Sequence, residues 1–196
     1  WKAQKLLSDH HIKFQPGLNE DLAATSIWGT QQVNLFEGAN VDGVFGIWYG
    51  KGPGVDRSLD ALKHGSSAGT SLHGGVLALA GDDHGSQSST LAHQSEQVFE
   101  AAMMPVLNPA TVQEYIDFGL YGFAMSRFTG CWVGFKAISE TVESSASIDV
   151  DASRVKIAIP SDFEMPPGGL NIRWPDPALE AERPLYGPKM QAVAAF

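Results

Sequence analysis

The chain has 196 residues, 43% of them hydrophobic and 18% charged, with a formal net charge of -9, a composition that fits one globular domain and excludes a disordered or collagen-like chain. A single cysteine, Cys131, excludes an internal disulfide framework and any Cys-rich zinc or iron–sulfur site built from this chain alone. The acidic balance without Lys/Arg clusters argues against a nucleic-acid surface, no apolar run approaches the roughly 20 residues of a membrane span, and no signal-peptide core follows Trp1-Lys2-Ala3-Gln4-Lys5, so a cytoplasmic location is expected.

In chain order, Leu6 to His10 reads as the end of a short helix and Ile12 to Phe14 as a short strand before the Pro16-Gly17 turn. Asn19 is a helix cap, with Glu20 and Asp21 in the first turn where the helix dipole favours negative charge. Leu22, Ala23, Ile27 and Val33 continue at helical spacing. Val44 to Tyr49 reads as a strand ending in the glycine-rich loop Gly50-Lys51-Gly52-Pro53-Gly54, and Val55 to Lys63 as a helix. The apolar run Val76 to Ala80, bounded by glycines, has the length and texture of a strand buried on both faces of a parallel sheet. A helix is predicted from Thr90 to Met104, with Leu91, Val98, Phe99, Ala102 and Met103 on its buried face, then a short strand at Pro105 to Leu107. Thr111 and Glu114 have capping-box spacing before an apolar stripe through Val112, Ile116, Leu120 and Phe123. Cys131 to Ala137 is the last strong strand.

Strands alternating with helices predict an α/β fold: a three-layer, doubly wound, mostly parallel sheet over residues 1–138. From residue 139 to 196 prolines crowd the chain, which predicts an extended arm or linker, with Ser147 to Val150 and Val155 to Ile159 as possible short strands. Trp28, Trp48, Trp132 and Trp174 read as core or interface anchors.

The loop after Ala80 contains Asp82, Asp83, His84, Ser88, Ser89 and Thr90, at the carboxyl end of a strand where open α/β sheets bind ligands. A solvated acidic turn fits the same residues. His73, Asp82, Asp83, His84 and His93 carry metal-ligating atoms at nonspecific spacing, so a divalent-metal-dependent hydrolase using Asp82, Asp83 and His84 is one alternative, and a noncatalytic α/β binding module another. Gly65, Ser67 and Gly69 match a nucleophile elbow in spacing, but a helix precedes them and a loop and strand follow, the wrong context. Gly50, Gly52 and Gly54 lack dinucleotide-motif spacing.

Several segments in one order carry a more specific likeness: Phe14-Gln15-Pro16-Gly17-Leu18-Asn19-Glu20, Trp48 through Ser58, Lys63-His64, Gly74-Gly75 through His84, Ser88-Ser89-Thr90, His93 through Glu96, and Pro105 through Pro109 with Gln113-Glu114. Together they resemble the pyrimidine-binding domain of 2-oxoacid:ferredoxin oxidoreductases, above all the fused-chain indolepyruvate type, which the tail Gly168 through Asp176 also resembles. The resemblance implies the thiamine diphosphate-binding fold, incomplete at its N-terminal side, and oxidative decarboxylation of 2-oxoacids such as arylpyruvates to acyl-CoA, with ferredoxin as electron acceptor. It assigns Glu20 the role of hydrogen-bonding N1′ of the cofactor's aminopyrimidine and so predicts that Glu20 faces a cleft or interface. By the same likeness Asp83, Ser88 and Ser89 are cofactor-binding candidates, and Arg57, Lys63, His64, His84 and His93 are substrate candidates.

This chain has no Gly-Asp-Gly and Asn magnesium motif, no cysteine motifs for iron–sulfur clusters and no coenzyme A parts. The resemblance therefore implies a fragment, inactive alone, whose magnesium and iron–sulfur clusters belong to parts outside it and whose partner is a diphosphate-binding domain of the same enzyme. Such an orphan domain would expose apolar surface, and self-association is expected.

Overall fold

The computed structural model describes residues 2–173 and 176–196, so the predicted anchor Trp174 lies outside the described residues. Four strands form one all-parallel sheet: β1 (Phe45–Lys51), β2 (Gly75–Asp82), β3 (Val106–Leu107) and β4 (Val133–Ile138), in the order β1-β2-β4-β3. Helices α1 (Gln4–Asp9), α2 (Glu20–Thr30), α3 (Gly52–Arg57), α4 (Leu59–Ala68), α5 (Glu96–Ala101), α6 (Val112–Thr129) and α7 (Ser139–Val142) precede, separate and follow the strands. This is an α/β architecture with helices on both faces of the sheet, compatible with a doubly wound fold.

The two faces are built from the two parities of β2. Val76, Ala78 and Ala80 face Ala24 of α2, Leu62 of α4, Phe99 of α5 and the rings of Trp48 and Trp132. Leu77 faces the other way, packed with Val133, Phe135 and Met125 of α6. The small side chains on the first face let large rings approach the sheet: a Cβ on Gly134 of β4 would lie 2.7 Å from the Phe99 ring. Helices α4 and α5, which carry the chain from β1 to β2 and on to β3, lie on the first face; α6, which returns it to β4, lies on the second. That arrangement follows from right-handed crossovers when the direction of travel reverses.

Most elements lie within a few residues of their expected positions, and the differences have local causes. Ile12 to Phe14, Ser147 to Val150 and Val155 to Ile159 are extended but pair with no strand among the described residues. The helix expected from Thr90 begins only at Glu96, and Leu91 is exposed. Residues before it are held in a loop because the carboxylate of Asp82 accepts the backbone N–H of Ser95 at 2.9 Å and its hydroxyl at 2.6 Å. Helix α6 begins as its capping box predicts, with Thr111 Oγ1 accepting from the Glu114 amide at 3.3 Å.

After α7 the chain runs largely exposed along α6, tied there by Arg154 to Asp117 and by the Gln113 side chain, which accepts from the Asp149 amide at 2.7 Å. It then returns to the body. Leu170 is buried, and Ile172 N–H donates to the Thr70 carbonyl at 2.8 Å. Helix α8 (Ala178–Pro184), a wide turn at Leu185–Lys189 and α9 (Met190–Ala195) follow, and Phe196 packs on Tyr121 and Phe128 of α6.

Gly130, which ends α6 at φ +69°, is where body and C-terminal segment meet most closely: a Cβ there would stand 2.1 Å from the Leu170 carbonyl oxygen. Gly130→Ala forces both a left-handed backbone onto alanine and a backbone displacement at Leu170. It is expected to cost more than about 1 kcal/mol, read as a lowered denaturation midpoint.

Candidate functional site

Glu20 opens α2, and its position is fixed from both sides. Asn19 caps the helix by accepting from the Leu22 amide at 3.0 Å, while the indole N–H of Trp48, in β1, donates to the Glu20 carbonyl at 2.8 Å. The side chain lies over two glycines. A Cβ on Gly54 would fall 2.6 Å from Glu20 Cγ, so the side chain can sit here only because that position lacks one, whereas a Cβ on Gly50 would be in ordinary contact with it at 3.6 Å and would instead collide with the Trp48 ring. Arg57 reaches Glu20 at 3.8 Å and Asp21 at 3.5 Å. Glu20 keeps 40% of its side chain exposed and lines an open cleft of about 630 Å³ at the carboxyl end of β1, walled by Gln15 to Asn19, Ile47 to Lys51 and Arg57.

The loop after β2 is built on its own carboxylates. Asp83 is buried and accepts the amides of Ser88 and Gln87 at 2.8 Å each; those two backbone hydrogen bonds hold its carboxyl below the usual aspartate range. Lys51 Nζ ties the loop to the end of β1 through the carbonyl of Ser88 and its hydroxyl, the latter at 3.0 Å. Ser89 is half-buried beside them. The His93 side chain lies on Gly52, where a Cβ would meet its ring at 2.6 Å, and its Nδ1 is 3.5 Å from Asp56.

A further group, Lys136 of β4, is 1% exposed and belongs to this site, although the sequence reading passed over it. Its ammonium is 3.3 Å from Asp82, bonds Glu96, and lies 3.1 Å from His84 Nε2. Burial pushes Glu96 upward, but the hydrogen bond and charge of Lys136 outweigh it, and the carboxyl ends below the usual glutamate range. The signal in the sequence was a lysine inside an otherwise apolar strand, Val133-Gly134-Phe135-Lys136-Ala137. The cluster occupies the crevice between the carboxyl ends of β2 and β4, where the chain leaves β2 for one face and β4 for α7, whose Thr141 meets Tyr115 of α6 on the other.

The expected residues therefore separate into three places. Glu20 and Arg57 share the cleft. Asp83, Ser88, Ser89, His84 and His93 belong to the neighbouring loop, with the Asp83 carboxylate and Ser88 spent on shaping it. Lys63 and His64 are on α4, outside the lining of the Glu20 cleft, with His64 Nδ1 against the Asp60 carbonyl at 2.9 Å and its ring beside Trp28. Asp82 and His84 both meet Lys136 while Asp83 is turned to the amides of Gln87 and Ser88, and among the described residues no three His, Cys, Asp or Glu side chains are arranged to hold a metal ion.

The row Gly50, Ala80, Lys136 is in register across β1, β2 and β4, so Glu20 above Gly50 and the Lys136 cluster lie two strand spacings, about 10 Å, apart on one sheet face. Among the described residues no helix is long and apolar enough to cross a membrane.

Removing Lys136 strands the buried Asp82 carboxylate. Lys136→Met is expected to lose about 3–5 kcal/mol in chemical denaturation, and adding Asp82→Asn to recover part of the loss, because a neutral amide leaves no charge unpaired. Asp83 has a depressed folded-state pKa, so its contribution is fully present above the ordinary aspartate range and is lost as pH falls through the lower folded value. Acid titration of stability in Asp83→Asn is expected to be flatter than wild type over that interval; an unchanged acid limb would contradict the assignment.

No family model matches the chain, and neither the curated proteins nor the solved structures include a significant match. What the site does is therefore judged from its own geometry and from the residues that compose it.

Proposed function

We propose that this chain is the pyrimidine-binding portion of a thiamine diphosphate-dependent 2-oxoacid:ferredoxin oxidoreductase acting on arylpyruvates such as indolepyruvate. The observation that carries the reading is Glu20: a carboxylate at the first turn of a helix, seated on Gly50 and Gly54, lining an open cleft at the carboxyl end of a parallel strand. An aminopyrimidine needs such a group, reachable from a cleft and fixed in direction, to share a proton at ring atom N1′. The residues present fit that group, since the glycines leave room beside the carboxylate and Trp48 and Ile47 supply apolar wall.

When bound, the cofactor supplies the electron sink that lets a 2-oxoacid lose carbon dioxide. Glu20 holds the N1′ proton, and Arg57, bridging Glu20 and Asp21, keeps the carboxylate turned toward the cleft. The loop anchored by Asp83 forms the neighbouring wall, with His93 between it and α3. In this reading magnesium, the iron–sulfur clusters, coenzyme A and the ferredoxin contact belong to other parts of the enzyme.

A second feature supports the need for a partner domain. Phe45, Ile47 and Tyr49, the alternate residues of β1 that face away from Trp48, are 53%, 53% and 63% exposed. A sheet edge with that much apolar side chain in water fits a surface that a diphosphate-binding domain covers.

In the complete enzyme, Glu20→Gln is expected to lower decarboxylation by roughly 100-fold or more while leaving assembly intact. A rate near wild type would overturn the assignment. The isolated chain is expected to bind thiamine diphosphate only after mixing with a diphosphate-domain partner, measured by calorimetry, and ferredoxin reduction by the chain alone would refute the fragment reading.

A further inference from the structure

At the amino end of the sheet, opposite the Glu20 cleft, the C-terminal segment closes over a cavity of about 150 Å³. Its walls include Trp28 from α2, Leu35, Leu170 and Ile172, and its polar lining includes Arg173 and Lys189. Cavities of about this volume with apolar walls accept a benzene ring.

Lys189 is the unusual member. It is 3% exposed, and among the described residues its ammonium is hydrogen-bonded only by carbonyl oxygens at the ends of α4 and α6: Ser67 at 3.3 Å, Gly130 at 3.4 Å and Ser66 at 3.5 Å. These are long for N–H···O hydrogen bonds, whose distances centre near 2.9–3.0 Å. Arg173 has a carboxylate, Asp176, at 2.9 Å; among the described residues Lys189 has none. The indole N–H of Trp28, shielded from water, also has no acceptor among the described residues. Asp176 also lines the cavity but is paired with Arg173, which leaves the Lys189 ammonium as the charge in the lining with no carboxylate partner among the described residues. Burial lowers the Lys189 pKa from the usual lysine range, and an arriving carboxylate supplies the missing counter-charge.

We propose that this cavity binds a small monocarboxylate whose apolar body is the size of a benzene ring, with the carboxylate on Lys189 and the ring between Trp28, Leu170 and Ile172. Because Trp28 belongs to α2 and Lys189 to the C-terminal segment, the bound acid joins the two and stabilises the closed arrangement. The site is separate from the Glu20 cleft: it lies beside Ser67 and Gly130, which precede the amino ends of β2 and β4, whereas Glu20 stands at the carboxyl end of β1. It does not depend on the function proposed above.

The test is titration of the full chain with benzoate and, separately, with benzyl alcohol, followed by calorimetry and by NMR. Benzoate is expected to bind one to one, to raise the melting temperature, and to show ring-proton NOEs to the methyl groups of Leu170 and Ile172. Benzyl alcohol, with the ring but not the charge, is expected to bind roughly tenfold more weakly or worse, and Lys189→Met to erase the difference. The proposal is overturned by absence of benzoate binding at millimolar concentration, by equal binding of the two ligands to wild type, or by NOEs to other methyl groups. All three readouts use the wild-type chain and hold even where Lys189→Met does not fold.

Discussion

Taking an ammonium and a carboxylate out of water costs several kcal/mol for each ion, and Lys136 and Asp82 are held in that condition on neighbouring strands, both almost completely buried. The cost is offset by geometry: Asp82 also accepts two hydrogen bonds from Ser95, and Lys136 also reaches Glu96 and His84. Through Ser95 the pair fixes where α5 starts. With the start of α5 fixed, residues 83–95 must form a loop of set length, and Asp83 and Lys51 fold it back toward the end of β1. That loop lays His93 on Gly52, the first residue of α3, and α3 carries Gly54 and Arg57 to Glu20. A charge pair between β2 and β4 thereby sets the floor of a cleft on the far side of β1.

Close approach is the second constraint. The first sheet face is a surface of small residues, Gly46, Gly50, Ala78, Ala80 and Gly134, and each absence of side chain is filled by a neighbour: Ile27 at Gly46, Trp48 and Glu20 at Gly50, Phe99 at Gly134. Large rings and a carboxylate therefore sit directly on backbone. The stem of Glu20 is confined by Gly54 on one side, while its carboxylate stays open to the cleft.

How much of this was legible in the sequence depended on the reach of the interaction. Val76 to Ala80 announced a two-sided buried strand because every residue in it is small or apolar, and Thr111 with Glu114 announced the start of α6 because a capping box acts over three residues. Contacts between distant positions were illegible. Thr90 to Ser95 has acceptable helix formers, yet Asp82 captures the Ser95 amide, and nothing local reveals that. Lys136 drew no attention within its strand, since its partners Asp82, His84 and Glu96 lie 40 or more positions upstream. Lys63 and His64 were grouped with Arg57 by the family likeness, as cationic candidates for an anionic substrate, whereas the turn between α3 and α4 sends them along a different helix. The expected site thus came through in its parts, and the arrangement of those parts came only from the fold.

The exposed side of β1 has a consequence beyond ligand binding. As the end strand of the sheet it has one side of backbone amides and carbonyls without strand partners among the described residues, over seven residues, Phe45 to Lys51. Natural edge strands are commonly protected by inward charges, prolines or bulges, and here the only charge is Lys51 at the very end. Strand-to-strand pairing between two molecules would be templated by that edge and sealed by Phe45, Ile47 and Tyr49. Concentration and temperature during expression then decide between a folded chain and an aggregated one, and a single lysine in place of Ile47 is the simplest safeguard.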